Sequence, residues 1–421
     1  MIMKIKDLYA REILDSRGNP TVETELVLDN GMKVIASVPS GASTGSREAL
    51  ELRDNDETRY MGKGVLTAVN NVNTIIRDTL IGMELNQASI DNKLLELDGT
   101  ENKERLGANA ILSVSLACLK AQALIEGKEL FEYVTTGKVS MPIPLINILN
   151  GGVHAKNGLN IQEFMIIPVV SSMQKRVQAA SEIFHHLQKI LAKGSLSTGV
   201  GDEGGFAPNL KKTTEAFDYI VKAIKKAGYE PGMDVFIGID CAASEFYDKE
   251  TKKYKLDGNE YTVDELINFY LEIVDKYPII SIEDPFYEDD FDSLAKLTKK
   301  IGDKVMLVGD DYFVTNEKYL QKGIKMNAGN AILLKANQIG TMSEMLKAIV
   351  VAKQNNYKTV ISHRSGETED TFIADLAVGL NLGFIKTDSM CRGERICKYN
   401  RLLKIEELIL NGDKHEKNSW W

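Results

Sequence analysis

The chain has 421 residues, 43% hydrophobic and 26% charged, with 60 acidic against 51 basic residues and a net charge of −9. That length holds one large or two ordinary domains, and the acidic balance excludes a nucleic-acid binder driven by phosphate contacts. Cys118, Cys241, Cys391 and Cys397 form no CxxC pair, which points to a reducing, cytoplasmic setting. The opening "MIMKIKDLYAREILDSRGNP" lacks the apolar core of a signal peptide. No run of about 18 apolar residues is read along the chain, so no membrane span is expected. The closing "NGDKHEKNSWW" reads as a polar tail, leaving open whether Trp420 and Trp421 dock.

Residues 3–40 alternate apolar and polar, and "TVETELVLDNGMKVIASVP" reads as strand, Asn-Gly turn, strand. The Gly/Ser-rich stretch "PSGASTGSREALELRD" follows, either a lid over a site or a linker. From about Gly64 to Tyr133 the period is helical. Residues 1–133 are therefore expected to form an α+β domain, a three-stranded antiparallel meander followed by helices. Past a linker, short apolar strands alternate with amphipathic helices: "PLINILN", "QEFMIIPV", "DVFIGID", "YPIISIED", "KVMLVGDD", "NAILLKAN", "KTVISH" and "GFIKTD". Two long helices, near 173–193 and 212–227, fall between the second and third strands. This predicts an α/β fold, a C-terminal β/α barrel over 141–421 that starts ββαα. A doubly wound sheet is the alternative, but the nucleotide-binding glycine signatures are missing.

The strand ends carry the chemistry. Asp240, Glu283 with Asp284, Asp310 with Asp311, Lys335, His363 with Arg364, and Lys386 each close or follow one strand. Most are spaced near one βα unit of roughly 30 residues. In a barrel those ends share one rim, where active sites sit. Three carboxylates there repel one another, and a hard divalent cation relieves that. An all-oxygen set favours Mg²⁺ over zinc. Lys335, Lys386, His363 and Arg364 make the other side cationic, suited to a carboxylate or phosphate. A lysine beside cations and a metal is expected to have a lowered pKa and to serve as a base. Plainer readings exist for each part taken alone. A strand-end Asp caps the next helix, Arg364 makes a surface ion pair, and His185 and His186 merely pack or face solvent. "YEDDFD" reads as a helix's first turn. In "STGVGDEGGFAPN", Asp202 and Glu203 sit among glycines, in a turn or against a ligand.

"DSRGNPTVE", "PSGASTGSREALELRD", "GANAILSVSLA", "NGGVHA", "QEFMI", "VGDEGGFAPN", "DCAASEFY", "SIEDPF", "GDDYFVTN", "LLKANQIGT" and "SHRSGETED" together resemble the enolase family, of bacterial type, from about residue 4 to about 408. The resemblance implies reversible dehydration of 2-phosphoglycerate to phosphoenolpyruvate with two Mg²⁺ per site, the second arriving with substrate. It implies Lys335 as the base at carbon 2 and Glu203 as the acid toward the 3-hydroxyl. Glu163 is its helper, and His154 and His363 line the site. Gln162, Lys335, Arg364, Ser365 and Lys386 contact substrate. Asp240, Glu283 and Asp310 hold the first metal, and Ser43 the second. It implies a homodimer or a larger ring of dimers, with ion pairs of Arg11 with Glu182 and of Glu23 with Lys404. A secondary surface or secreted pool follows from resemblance alone. The sequence departs from the family at Asp388, where glycine is usual, and at Gly393, where serine is. A carboxylate at 388 is expected to raise a lysine's pKa or to pair with Arg392. It opens a second reading, a weakly active or inactive binding protein on the same scaffold.

Overall fold

The computed structural model describes residues 3–41, 45, 47–135, 137–155 and 157–411. β1 (Ile5–Leu14), β2 (Pro20–Leu28) and β3 (Lys33–Ser37) form the antiparallel meander. Along β2 the alternation buries Val22, Thr24, Leu26 and Leu28 and leaves Glu23 and Glu25 half-buried on the other face, so one face must be covered. The helix Ala108–Ile125 covers it, and the Thr24 and Ser113 hydroxyls meet across the contact at 2.6 Å. This helix corrects the reading that the chain has no span-like stretch. It is long and apolar enough to cross a membrane, yet 78% of it is buried inside the protein.

Eight strands close into a barrel in the order β4 (Ile143–Asn150), β5 (Glu163–Pro168), β6 (Val235–Asp240), β10 (Ile279–Glu283), β11 (Met306–Gly309), β12 (Ala331–Leu334), β13 (Lys358–Ser362) and β14 (Gly383–Lys386). Lys386 pairs in register with Leu145, which closes the sheet and excludes the doubly wound alternative. β5 runs antiparallel to both neighbours and the other pairs are parallel. The helices Met173–Lys193 and Thr213–Lys226 lie between β5 and β6, giving the ββαα start. A small antiparallel sheet of β7 (Tyr247–Asp248), β8 (Lys253–Leu256) and β9 (Asn259–Tyr261) interrupts the alternation. Its strands are too short to give a periodic signal.

Leu145, Met165, Ile167, Met306, Val308, Ala331, Leu333 and Val360 fill the barrel's interior. A second core cluster runs continuously from Ile5 to Ile405, so the meander, its helices and the barrel's outer layer share one apolar body. Polar ties reinforce that contact. Ser40 bridges to Gly366, Asp91 accepts from the Ser343 amide at 2.9 Å, and Lys103 pairs with Glu344 at 3.0 Å.

Candidate active site

Strand alternation decides which side chains reach the barrel mouth. Ala331 and Leu333 point inward, so the next inward position is Lys335; Met306 and Val308 lead in the same way to Asp310. Phe384 packs on the interior cluster and is followed two residues on by Lys386. β5 is antiparallel, so its start faces this rim, and Glu163 pairs in register with Asp240. That reversal is why counting strand ends could not find Glu163 or Gln162, which only the motif "QEF" supplied.

These residues line one cavity with His154, Gln162, Glu203, Asp284, Asp311, His363, Arg364, Ser365 and Glu48. Lys386 is its hub. Its Nζ lies 2.9 and 3.0 Å from the two Glu283 oxygens, 3.2 Å from Asp240 Oδ2 and 3.0 Å from Glu163 Oε2. Burial alone would favour the neutral amine, but Asp240, Glu163 and Glu283 outweigh it and hold the ammonium well above its usual pKa. Burial and the adjacent Asp240 push Glu283 well above the carboxylate range. For Glu163, burial and the neighbouring Glu203 and Asp240 prevail over Lys386 and push it up to about 7. Gln162 Nε2 and the Ala242 amide steady Asp240 at 3.3 and 3.0 Å.

Lys335 meets a partner that the sequence reading did not count. Its ammonium hydrogen-bonds Asp310, whose other oxygen accepts from Gln338 Nε2 at 2.8 Å. Burial and the nearby Arg364 and Lys386 depress the lysine's pKa, but Asp310 prevails and the net shift is upward. The sequence reading counted the neighbouring cations and the metal, not this carboxylate in contact.

Asp284 sits in the left-handed region at φ 43, and its two oxygens accept from the Asp310 and Asp311 amides at 2.9 Å each. It ties the end of β10 to the end of β11. Asp284, Asp310 and Asp311 bring ligand atoms within 4.8 Å of one another, a group able to hold a metal ion. Asp240 and Glu283 meet instead through the Lys386 ammonium. Burial and Asp310 push Asp311 up to about 8.

Glu203 comes from the glycine loop. His154 Nδ1 lies 3.2 Å from its Oε2, close enough for an ion pair but without hydrogen-bond alignment. Burial works against charge on both. Their attraction prevails, so His154 rises to about 9 and Glu203 falls well below the usual range. Glu203 is therefore ionised here. His363 is fixed differently. Arg395 Nη1 lies 2.6 Å from its Nδ1, and arginine only donates, so Nδ1 accepts and the ring's proton sits on Nε2. Burial and Arg395 push its pKa well below 6.5.

Arg364 is buried rather than at the surface, donating to Glu48 at 2.8 Å and to Asn337 at 2.9 Å. Arg395 also donates to the Arg364 and Ser365 carbonyls, at 2.6 and 2.7 Å. Lys398, one helical turn on, holds Glu367 at 2.9 Å. Glu48, Gln338, Arg395 and Lys398 were not foreseen. The latter pair left no sequence signal, since "RICK" of the last helix reads as ordinary helix cations and only the fold shows both Arg395 and Lys398 fully buried. Asp290, in "YEDDFD", caps the helix Phe291–Ile301. Ser43, Trp420 and Trp421 lie outside the described residues.

A family model described as enolase, C-terminal TIM barrel domain, matches residues 138–419, and one described as enolase, N-terminal domain, matches residues 5–134. The chain belongs to the enolase family. Within that enolase frame, Asp388 stands out. It is fully buried at φ 65, and neither carboxylate oxygen has a hydrogen-bond partner among the described residues. The pairing expected with Arg392 does not form, because that guanidinium donates to the Gly201 carbonyl on the glycine loop. The expected dimer residues Arg11 and Glu23 pair with each other within this chain at 2.8 Å.

Proposed function

We propose that this member of the enolase family, a carbon–oxygen lyase of bacterial type, catalyses the reversible, Mg²⁺-dependent dehydration of 2-phospho-D-glycerate to phosphoenolpyruvate in glycolysis. The observation that carries the reading is one cavity lined by a lysine at a strand exit, a buried carboxylate on a glycine loop, a set of hard carboxylates and a buried arginine.

The donor set fits the metal. Asp240, Glu283 and Asp310 offer only carboxylate oxygens. Burial and mutual repulsion disfavour charge on Glu283, and ammonium groups already lie against these oxygens. Asp240, Glu283 and Asp310 would hold one ion, and Ser43 would join a second that comes with substrate. The bound ions supply positive charge to the substrate carboxylate as it takes up a second negative charge.

The chain's own groups do the rest. Lys335 takes the proton from carbon 2. Asp310 cannot ligate a cation with the oxygen that grips the Lys335 ammonium and still hold that ammonium as firmly. Once released, Lys335 faces Arg364 and Lys386, which favour its neutral form, against Glu283, which favours its charged form until the ion binds that carboxylate. A lysine or histidine base with one or two Mg²⁺ is the established pattern of the enolase superfamily, and Lys335 follows it. Lys386 faces the substrate carboxylate, Arg364 and Ser365 the phosphate, and Gln162 makes a further contact. Glu203 delivers the proton with which the 3-hydroxyl leaves as water, helped by Glu163, His154 and His363. The active unit is a cytoplasmic homodimer, alone or in a ring of dimers.

Purified protein with 2-phosphoglycerate and Mg²⁺ should raise the ultraviolet absorbance of phosphoenolpyruvate. Chelator should stop the rise, and Lys335→Ala should lower kcat by about 10²–10⁴-fold. No product from folded, metal-loaded protein would favour the inactive-scaffold reading instead.

A further inference from the structure

Asp388 is a buried carboxyl that none of the roles above employs. The segment after β14 is held tightly against the glycine loop. The Cys391 thiol donates to the Gly204 carbonyl at 3.2 Å and the Ser389 amide approaches the Glu203 carbonyl at 3.4 Å. A Cβ on Gly204 would stand 2.9 Å from Cys391 Sγ, so the two segments are in close contact there. The Tyr399 hydroxyl donates to the Asp388 carbonyl and fixes its backbone. Asp388 does not itself line the cavity; its carboxylate lies behind Glu203 and His363, which do, and a Glu203 oxygen, a His363 ring nitrogen and an Asp388 oxygen lie within 4.8 Å of one another. His363 Nε2 is 3.8 Å from Asp388 Oδ2, and Arg395 on the far side of the ring keeps the proton on that nitrogen.

Every charged group around Asp388 bears on its state. Glu203 on the glycine loop and Glu163 on β5 repel a charge there, while Arg395 on the last helix and Lys386 on β14 favour one. His363, just past the end of β13, is neutral, and Tyr399 on the last helix is a neutral phenol. His154, the strongest cation at Glu203, engages Glu203 rather than Asp388. Burial adds to the repulsion, and the outcome is a carboxyl held well above its usual pKa.

We propose that Asp388 is a positioning residue that holds a proton beside Glu203, so that the two carboxyls act as one acid with a single shared proton. The inference rests on the dehydration reading and answers a difficulty in it, since the His154 contact favours the charged form of Glu203 in the resting site. In the dehydration direction the Asp388 proton passes to Glu203. Glu203 passes it to the departing 3-hydroxyl, which leaves as water, and the proton is restored to buried Asp388 through Glu203, which lines the cavity. His363 Nε2–H faces the pair and steadies whichever carboxylate is charged.

Two measurements on the Mg²⁺-loaded protein test this. Infrared difference spectra of wild type against Asp388→Asn at neutral pH should contain a protonated-carboxyl band that belongs to Asp388. Absence of that band overturns the proposal. Asp388→Asn keeps the side chain's size but cannot carry the proton. It should lower kcat roughly tenfold with KM within about twofold, and move the alkaline limb of the kcat profile to lower pH, as expected for loss of a proton-transfer partner. Asp388→Glu should recover part of both. Unchanged kcat and pH profile in Asp388→Asn would overturn the shared acid. If wild type itself turns over no 2-phosphoglycerate, the dehydration reading fails and the relay with it, while the infrared band still decides where the proton sits.

Discussion

Lys386 meets three carboxylates with one ammonium, and its loss should show what that arrangement is worth. In Lys386→Met, Glu163, Asp240 and Glu283 stay buried without their cation, and breaking a buried ion pair from one side costs about 3–5 kcal/mol. Denaturation in chelator should show that loss, and Mg²⁺ should restore much of it because the same oxygens then face another cation. An equal loss with and without Mg²⁺ would mean that these carboxylates do not ligate the ion. His154 gives a pH test. Its folded pKa of about 9 lies above the ordinary 6.5, so its charged form stabilises the fold. That contribution is complete below about pH 6.5 and is lost as pH rises toward 9. The stability difference between wild type and His154→Gln should thus be on the order of 3 kcal/mol in mild acid and vanish above about pH 9. A difference that grows with pH would contradict the ion pair with Glu203.

Among the elements, the site depends on strand ends and on what clamps them. β11 and β12 declared Asp310 and Lys335 because their interior alternation, Met306 and Val308 or Ala331 and Leu333, points to the next inward position. β5 hid Glu163 because an antiparallel strand offers its beginning to that rim, and no period reveals strand direction. The clamps were hidden too. Asp284, beside Glu283 in "SIED", looks like a second copy of its neighbour, yet the backbone turns left-handed there and aims it at two amides. The contact of Lys335 with Asp310 was hidden for the same reason, since it is three-dimensional and lies between strands. Gly366 is another such junction. A Cβ there would stand 2.3 Å from Ser40 Oγ and 2.4 Å from Asp15 Oδ2. Gly366→Ala should separate the Ser40–Gly366 bridge, cost about 1–3 kcal/mol in urea denaturation, and raise KM through the adjacent Ser365. A variant as stable and as active as wild type would show that the bridge is slack.

Across the whole chain, the described residues up to Thr135 are built onto the barrel rather than beside it. One apolar cluster spans both, and Glu48 reaches across to Arg364 inside the cavity. Thermal unfolding of the protein should therefore be a single cooperative transition, and two resolved transitions would contradict that coupling. The same packing collects Lys335, Glu203 and the carboxylates into one space, and the proposed chemistry stands on the division of labour between them. Loss of the carbon-2 proton of 2-phosphoglycerate, followed in deuterated water with Mg²⁺, separates the two roles. The wild-type protein should exchange that proton, and Glu203→Gln should still exchange it while making little phosphoenolpyruvate. Lys335→Ala should do neither. Exchange that survives in Lys335→Ala, with the protein folded and the metal bound, would contradict the assignment of Lys335 as the base.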